Sequence, residues 1–105
     1  MLPLSKPKPI DQSFDFQQEL PQWKVSAGSK SLQRQFIFSN FEKAFEFMTL
    51  CARFAEEIDH HPDWSNSWNR VSVSLSTHSA DGLTELDITM AHAMDQFANS
   101  ILQSE

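Results

Sequence analysis

Three scarcities in this sequence exclude whole classes of protein. Cys51 is the only cysteine among 105 residues, so no internal disulfide can form, and its apolar neighbours favour a small core residue over a reactive thiol. Only eight lysines and arginines oppose fourteen acidic residues, and they are scattered, which argues against direct nucleic-acid binding. No apolar run approaches the roughly 20 residues that span a bilayer, and the opening residues lack the apolar core of a secretory signal. We therefore expect a soluble, cytoplasmic protein.

The apolar content, by contrast, is sufficient for a folded core. Hydrophobic residues make up 40% of the chain, and they include nine phenylalanines and three tryptophans. The length is that of one domain. Proline and lysine alternate over residues 1–9, which predicts an extended N-terminal arm, and residues 10–105 are expected to form a single domain.

Apolar periodicity predicts seven elements in the order α-β-β-α-β-β-α. The expected fold class is α+β, a two-layer domain with a four-stranded antiparallel sheet and helices on one face. The expected elements are a short helix over 10–20, strands over 23–27 and 32–38 joined by a hairpin at Gly28, a long helix from Phe41 that Pro62 ends, strands over 64–68 and 71–76, and a last helix capped near Thr84.

The long helix carries two further signals. Ser39 and Glu42 have the spacing of a capping box, in which each side chain satisfies a backbone N–H of the first turn. Phe47, Leu50 and Phe54 widen the apolar stripe beyond what one sheet face covers. This excess predicts a second burial surface such as a subunit contact.

Three histidines are the candidates for chemistry. His60 and His61 are adjacent at the predicted helix end, and His78 follows seventeen residues after His61. Histidine exchanges protons near neutral pH without tuning. Glu56 lies four residues before His60, so the two can hydrogen-bond on one helix face, and Asp87 lies nine residues after His78. The pattern favours proton-transfer chemistry if the rings meet in one pocket.

Other interpretations of these residues stay open on local grounds. Each histidine taken alone is typical of a surface or cap position, Asp87 has the position of a helix N3 residue, and Glu56 could lie on a solvated helical face. Three histidines and a carboxylate could also bind zinc. The usual metal-ligand spacings are missing, however, and adjacent histidines tend to point apart, so proton transfer is favoured over metal binding.

The motifs around the histidines resemble the pterin-4a-carbinolamine dehydratase family. The chain reads E-x-x-x-H-H-P, then an aromatic, then T-H and L-T-x-x-D, and the resemblance covers some four-fifths of its length. The residues that carry it are Glu56–Trp64, Trp68–Val71, Thr77-His78 and Leu83–Asp87. Ser79 and Asp81-Gly82 depart from the family's usual Asp and Gly-Gly, and Ser65 and Ser67 replace bulkier residues.

The resemblance implies a reaction and a site. The family dehydrates 4a-hydroxytetrahydropterin to quinonoid dihydropterin by acid–base catalysis, without a metal or redox cofactor. His60, His61 and His78 would be the catalytic set, with His60 and His78 as the acid/base pair and His61 mainly orienting the pterin. Glu56 and Asp87 would fix the tautomers and positions of the histidine rings without touching the pterin. The pterin would be bordered by Asp59, Ser76, Thr77 and Ser79, with Trp23 as a wall of the pocket.

The resemblance also implies partners and an alternative. The implied partners are a small pterin substrate, further copies of the chain in a homodimer or homotetramer, and a functional link to an aromatic amino acid hydroxylase, with no nucleic acid and no membrane. Animal relatives also act as dimerisation cofactors for a transcription factor. A non-catalytic interaction module is therefore the alternative function.

Overall fold

The fold is built on one antiparallel sheet. A computed structural model describes residues 7–104 of the chain. The strands lie in the order β1-β2-β4-β3, and every neighbouring pair is antiparallel. The predicted α+β class is confirmed. The elements are α1 (Phe16–Glu19), β1 (Lys24–Val25), β2 (Leu32–Ile37), α2 (Phe41–Ile58), β3 (Asp63–Ser67), β4 (Arg70–Leu75) and α3 (Glu85–Gln103), with 3-10 turns at Ala27–Ser29 and His78–Ala80.

The core lies between one face of this sheet and the two long helices. Buried and accessible residues alternate along β2 and β4, as expected for a sheet covered on one side. Helices α2 and α3 pack against each other and against β4. The largest fully buried side chains include Phe47, Leu20, Leu32, Leu75, Met90 and Met94.

The first helix is much shorter than predicted. The expected helix over 10–20 is wrong except for Phe16–Glu19. The Asp11 carboxylate accepts hydrogen bonds from the backbone N–H and the hydroxyl of Ser13, and such local side-chain bonds compete with helix formation. Asp15 then caps the single turn by accepting from the backbone N–H of Gln18.

The predicted hairpin between the first two strands is present, but β1 has only two residues. Gly28 adopts the expected positive φ, at 75°, inside a 3-10 turn. The Ser26 side chain accepts from the backbone N–H of Ser31 across the turn. Because this turn takes up residues 26–31, the strand predicted over 23–27 ends at Val25.

Both ends of helix α2 differ from the prediction. Its N-cap is Asn40, whose side chain accepts from the backbone N–H of Lys43, so the assignment of Ser39 as the cap is wrong. At the other end the helix stops at Ile58, because Asp59 adopts a left-handed conformation. The helix therefore ends before Pro62 can interrupt it.

The apolar excess of α2 is mostly taken up inside the chain. Phe47 is fully buried, with its ring centroid 4.6 Å from that of Phe36 and 5.1 Å from that of Phe38. Leu50 and Phe54 are half-buried against the core. Helix α3 supplies a second burial surface for Phe54, whose ring meets that of Phe97, whereas the fully buried Phe47 cannot take part in a subunit contact. A subunit contact through Leu50 and Phe54 stays a prediction. The exposed rings of this helix belong to Phe41 and Phe45.

Three further expectations concern Cys51, the membrane and the N-terminal arm. Cys51 is buried, and burial raises the pKa of its thiol to about 12, as expected for an unreactive core residue. No helix within residues 7–104 is long and apolar enough to cross a membrane. At the end of the predicted arm, Pro9 forms a bridge with Thr84, and the Lys8 carbonyl accepts from the backbone N–H of Glu85. Residues 1–6 of the arm lie outside the described residues.

Candidate active site

The end of helix α2 directs the two adjacent histidines to different surroundings. Asp59 has φ 54° and ψ 47°, and its backbone N–H and that of His60 both donate to the carbonyl of Ala55. After this turn the His60 ring is buried, with a side-chain exposure of 10%, whereas the His61 ring is 55% exposed. The expectation that adjacent histidines point apart is confirmed.

His60 meets a carboxylate from the start of helix α3. Its Nε2 lies 2.6 Å from Oδ1 of Asp87, which is completely buried. Asp87 occupies the N3 position of a capping box whose N-cap is Thr84. The cap role and the histidine-pairing role, which were alternatives for Asp87 on the sequence, are therefore both filled by the same carboxylate.

The other oxygen of Asp87 accepts two more hydrogen bonds. Oδ2 accepts from the hydroxyl of Thr77 at 2.8 Å and from the backbone N–H of Thr84 at 2.9 Å. The two threonine hydroxyls lie 2.7 Å apart. This buried network joins the end of β4, the start of α3 and the residue that follows the left-handed end of α2. We call Thr77, Thr84, Asp87 and His60 the Asp87 network.

The hydrogen bonding of Asp87 fixes which nitrogen of His60 is open. A carboxylate offers only acceptors, so the bond to Oδ1 requires a hydrogen on Nε2 of His60. Every buried side-chain nitrogen and oxygen in residues 7–104 has a hydrogen-bond partner, and Nδ1 of His60 has none there. Nδ1 is therefore accessible, and it carries the lone pair that can accept or return a proton.

Glu56 pairs with a different histidine from the one expected. Its Oε2 lies 2.6 Å from Nε2 of His61, so the predicted bond to His60 is wrong. The four-residue spacing brings side chains together only while the helix continues. Because the helix stops before His60, the ring of His60 leaves that face and the ring of His61 takes its place beside Glu56. Both partners of this pair are exposed, so we assign it little stability.

His78 lies directly after the Asp87 network. It begins the 3-10 turn that follows β4, and its ring is exposed and makes no hydrogen bond within residues 7–104. The preceding residue, Thr77, is tied to Asp87 through its hydroxyl and to Gly82 through an antiparallel bridge. The residue before His78 is thus in contact with the carboxylate that holds His60.

The remaining predicted site residues vary in exposure. Asp59 and Ser79 are exposed and Ser76 is half-buried. Trp23 is buried, and its indole N–H donates to Asp95 on α3, which also pairs with Arg34. Thr77 is buried within the Asp87 network. No group of three or more histidine, cysteine or acidic side chains in residues 7–104 is arranged to hold a metal ion.

A shallow groove of about 550 Å³ lies elsewhere, on the outer face of the sheet. Its walls contain none of the histidines. They are formed by Lys24, Gln33, Arg34, Gln35, Asp63, Trp64, Ser65, Ser72, Val73 and Ser74. The groove is wide open, and the proton-exchanging side chains lie apart from it, so we place the candidate site at the Asp87 network.

Comparison with known proteins decides the family. A family model described as pterin 4 alpha carbinolamine dehydratase matches residues 5–97. The chain belongs to this family. A protein from Bordetella avium with the provisional name pterin-4-alpha-carbinolamine dehydratase is 53% identical over 79 residues, which are 75% of this chain and 73% of that protein. A protein of the same provisional name from Rhizorhabdus wittichii is 43% identical over 93 residues, covering 89% and 96% of the two chains.

Solved structures agree with this family membership. The crystal structure of a transcriptional coactivator/pterin dehydratase from Brucella melitensis has a TM-score of 0.77 and 41% identity, and the match covers 87% of this chain and 99% of that one. A pterin dehydratase-like protein described as a RuBisCO assembly factor in the alpha-carboxysome has a TM-score of 0.65 at 20% identity, covering 76% and 93%. The second match shows the fold alone.

Two polar features of this pterin dehydratase family member were missed from its sequence. The Thr84 hydroxyl is part of the Asp87 network as well as the helix cap, and Asp95 anchors Trp23 and Arg34. The threonine could have been found, because the family motif L-T-x-x-D contains it. Asp95 carries no local signal, because its partners lie far away in the sequence.

The left-handed Asp59 gives a prediction about stability. Asp59→Gly is expected to raise the free energy of unfolding by about 1 kcal/mol, because glycine adopts this conformation without a Cβ penalty and the change removes a negative charge from the helix C-terminus. Urea unfolding followed by circular dichroism measures the change. Asp59→Ala removes the charge but keeps the strain, so a glycine variant no more stable than the alanine variant would contradict the interpretation.

Proposed function

We propose that this protein dehydrates a 4a-hydroxytetrahydropterin to quinonoid dihydropterin. The observation that carries the proposal is the buried Asp87, which binds His60 and also Thr77, the neighbour of His78. One carboxylate thus orders two imidazole-bearing segments that are remote in the sequence. Family membership supports the same reaction class.

The proposed reaction is the collapse of a hemiaminal. The bond between C4a and its hydroxyl oxygen breaks, a proton is delivered to that oxygen, and water leaves. N5 loses its proton, and its electron pair forms the C4a=N5 double bond, so no change of oxidation state occurs. One positioned acid and one positioned base are needed, and each contributes about 10²–10⁴-fold.

We assign the acid and base roles to His60 and His78. His60 would exchange its proton through Nδ1, because Nε2 is engaged with Asp87. The tautomer is thereby held constant between turnovers, as in other histidines that are backed by a carboxylate. His78 would serve as the second proton carrier, because it begins the turn next to the Asp87 network and its exposed ring makes no hydrogen bond to the described residues, which leaves both ring nitrogens free to meet a bound pterin.

The remaining residues would bind and orient the pterin. His61 is exposed and its Nε2 is held by Glu56, which leaves Nδ1 to contact the substrate. Asp59, Ser76 and Ser79 would border the ring. No metal or redox cofactor is part of the proposal. Departure of the hydroxyl from a carbinolamine is facile once one group protonates the leaving oxygen and another accepts the N5 proton.

A stopped-flow experiment tests the proposal. A 4a-hydroxytetrahydropterin is mixed with purified protein, and loss of the carbinolamine absorbance is followed at several protein concentrations. The observed rate is expected to rise with protein concentration above the spontaneous rate. The double variant His60→Gln and His78→Ala, prepared identically, is the control. A rate that does not depend on wild-type protein would refute the proposal.

A non-catalytic interaction module is the second candidate function. The Brucella melitensis neighbour is described as a transcriptional coactivator as well as a pterin dehydratase. The rings of Phe41 and Phe45 are 47% and 55% exposed and lie 5.7 Å apart on α2, which suits a contact with another chain. Absence of catalysis in the stopped-flow experiment, with a folded protein, would favour this function.

We further propose a cytoplasmic homodimer or homotetramer that serves an aromatic amino acid hydroxylase. The adjacent exposed rings of Phe41 and Phe45 support self-association, because a contiguous exposed apolar patch is typical of a protein contact. The other large apolar side chains exposed on the described part of the chain are those of Ile37, Trp68 and Leu102. Light scattering with in-line chromatography would distinguish monomer, dimer and tetramer.

A further inference from the structure

All polar groups of Thr77 are engaged inside the protein. Its backbone N–H donates to the carbonyl of Gly82, and its own carbonyl accepts from the backbone N–H groups of Ala80 and Gly82. Its hydroxyl contacts Asp87 and Thr84. Thr77 is only 5% exposed. A residue with this arrangement has no donor left for a pterin, and its one remaining acceptor is a buried hydroxyl lone pair, although the family resemblance implies a place at the substrate.

The hydrogen bonds of the two hydroxyls in the Asp87 network allow only one assignment of donors and acceptors. The carboxylate of Asp87 can only accept, so the Thr77 hydroxyl donates its one hydrogen to Oδ2. In the contact between the two hydroxyls, Thr84 must therefore be the donor. Thr84 in turn accepts from the backbone N–H of Leu86. The hydrogen bonds thus run from the first turn of α3 through both threonines to Asp87, which accepts from His60 on its other oxygen.

We infer that Thr77 is a positioning residue, which acts on the proposed dehydration through Asp87 and His60 instead of touching the substrate. The inference rests on the proposed function. Its hydroxyl holds one oxygen of Asp87 so that the other is aimed at Nε2 of His60. Its backbone begins the turn that carries His78. One residue therefore sets the relative placement of both proton-exchanging rings, with its side chain acting on His60 and its backbone on His78.

Two matched variants separate positioning from substrate contact. Thr77→Ser keeps the hydroxyl, and Thr77→Val keeps the shape but removes it. The valine variant leaves Oδ2 of Asp87 with only the backbone N–H of Thr84 as a donor, and it leaves the Thr84 hydroxyl without its acceptor. Thr77→Val is expected to lower kcat by about 10–100-fold, since small misplacements of catalytic groups have effects of this size. KM is expected to stay within twofold of the wild-type value, because the substrate does not meet this hydroxyl. Thr77→Ser is expected to restore kcat.

A second readout does not depend on activity. The Nε2 hydrogen of His60, held 2.6 Å from a buried carboxylate, is expected to give a sharp, far-downfield proton resonance in ¹⁵N-histidine spectra. We expect this resonance in the wild type and in Thr77→Ser, and expect it to shift or broaden in Thr77→Val. Circular dichroism on the same samples confirms that each variant is folded.

The outcomes separate this inference from the function on which it rests. A Thr77→Val protein with wild-type kcat, with an unchanged His60 resonance, or with a loss expressed mainly in KM would overturn the positioning role. If the wild type itself shows no dehydratase activity, the proposed function fails and the resonance alone decides. A perturbed resonance in the valine variant then supports positioning of His60, and an unchanged one overturns it.

Discussion

His78→Ala is expected to lower kcat for dehydration of a 4a-hydroxytetrahydropterin by at least about 10²-fold, the contribution of one positioned proton carrier. The same change is expected to alter the free energy of unfolding by less than about 0.5 kcal/mol, because the His78 ring is exposed and makes no hydrogen bond to the described residues. Stopped-flow kinetics and urea unfolding measure the two quantities.

The selectivity of this effect distinguishes catalysis from folding. His92 is a suitable control, because it lies on α3 with a partly exposed ring and has no role in the proposal. His92→Ala is expected to leave kcat unchanged. Full activity in His78→Ala would remove His78 from the acid–base pair, and an equal loss in His92→Ala would show that the effect is not specific to the site.

Asp87→Asn is expected to damage both catalysis and stability. An amide at this position can still accept from Thr77 and Thr84, but its NH₂ group would face the N–H of His60, so the ring is driven to the other tautomer. The hydrogen then occupies Nδ1, the atom that should accept a proton. We expect kcat to fall by about 10²–10⁴-fold and the free energy of unfolding to fall by about 2–3 kcal/mol.

Asp95→Asn provides a matched control for this variant. Asp95 is also a helix α3 carboxylate that accepts from more than one partner, namely Trp23 and Arg34, but it lies outside the Asp87 network. Its replacement is expected to lower stability while kcat changes little. If Asp87→Asn retained wild-type kcat after correction for the folded fraction, Asp87 would be a helix cap without a catalytic function.

Local rules predicted the parts of the site that depend on neighbouring residues. The cap at Thr84 and the N3 position of Asp87 follow from the S/T-x-x-E-like spacing at the start of a helix, and the structure contains both. The alternation along residues 71–76 placed the strand that leads to Thr77 and His78. These features need no knowledge of distant contacts.

Contacts that depend on the path of the chain were not predictable in this way. The bond between Glu56 and His61 replaces the expected one to His60 because Asp59 turns left-handed, and the aspartate there gives little warning, since glycine or asparagine is more usual. His60 meets Asp87 across 27 positions of sequence. Only the packing of α2 against α3 determines that contact.

The aromatic residues illustrate the same limit. Periodicity indicated that helix α2 has more apolar side chains than one face needs, but it could not say which of them point inward. Phe47 is fully buried between Phe36 and Phe38, and Phe54 meets Phe97 on α3. Phe41 and Phe45 remain exposed instead. The choice is made by tertiary packing of α2 against the sheet and against α3.

A crystal structure of the protein soaked with a reduced pterin that cannot lose water tests the central claim most directly. The account predicts that the pterin ring binds beside the Asp87 network, with Nδ1 of His60 and a ring nitrogen of His78 both within hydrogen-bonding reach of the C4a and N5 region. A pterin bound in the groove on the outer sheet face, or one that meets neither of these nitrogens, would contradict it.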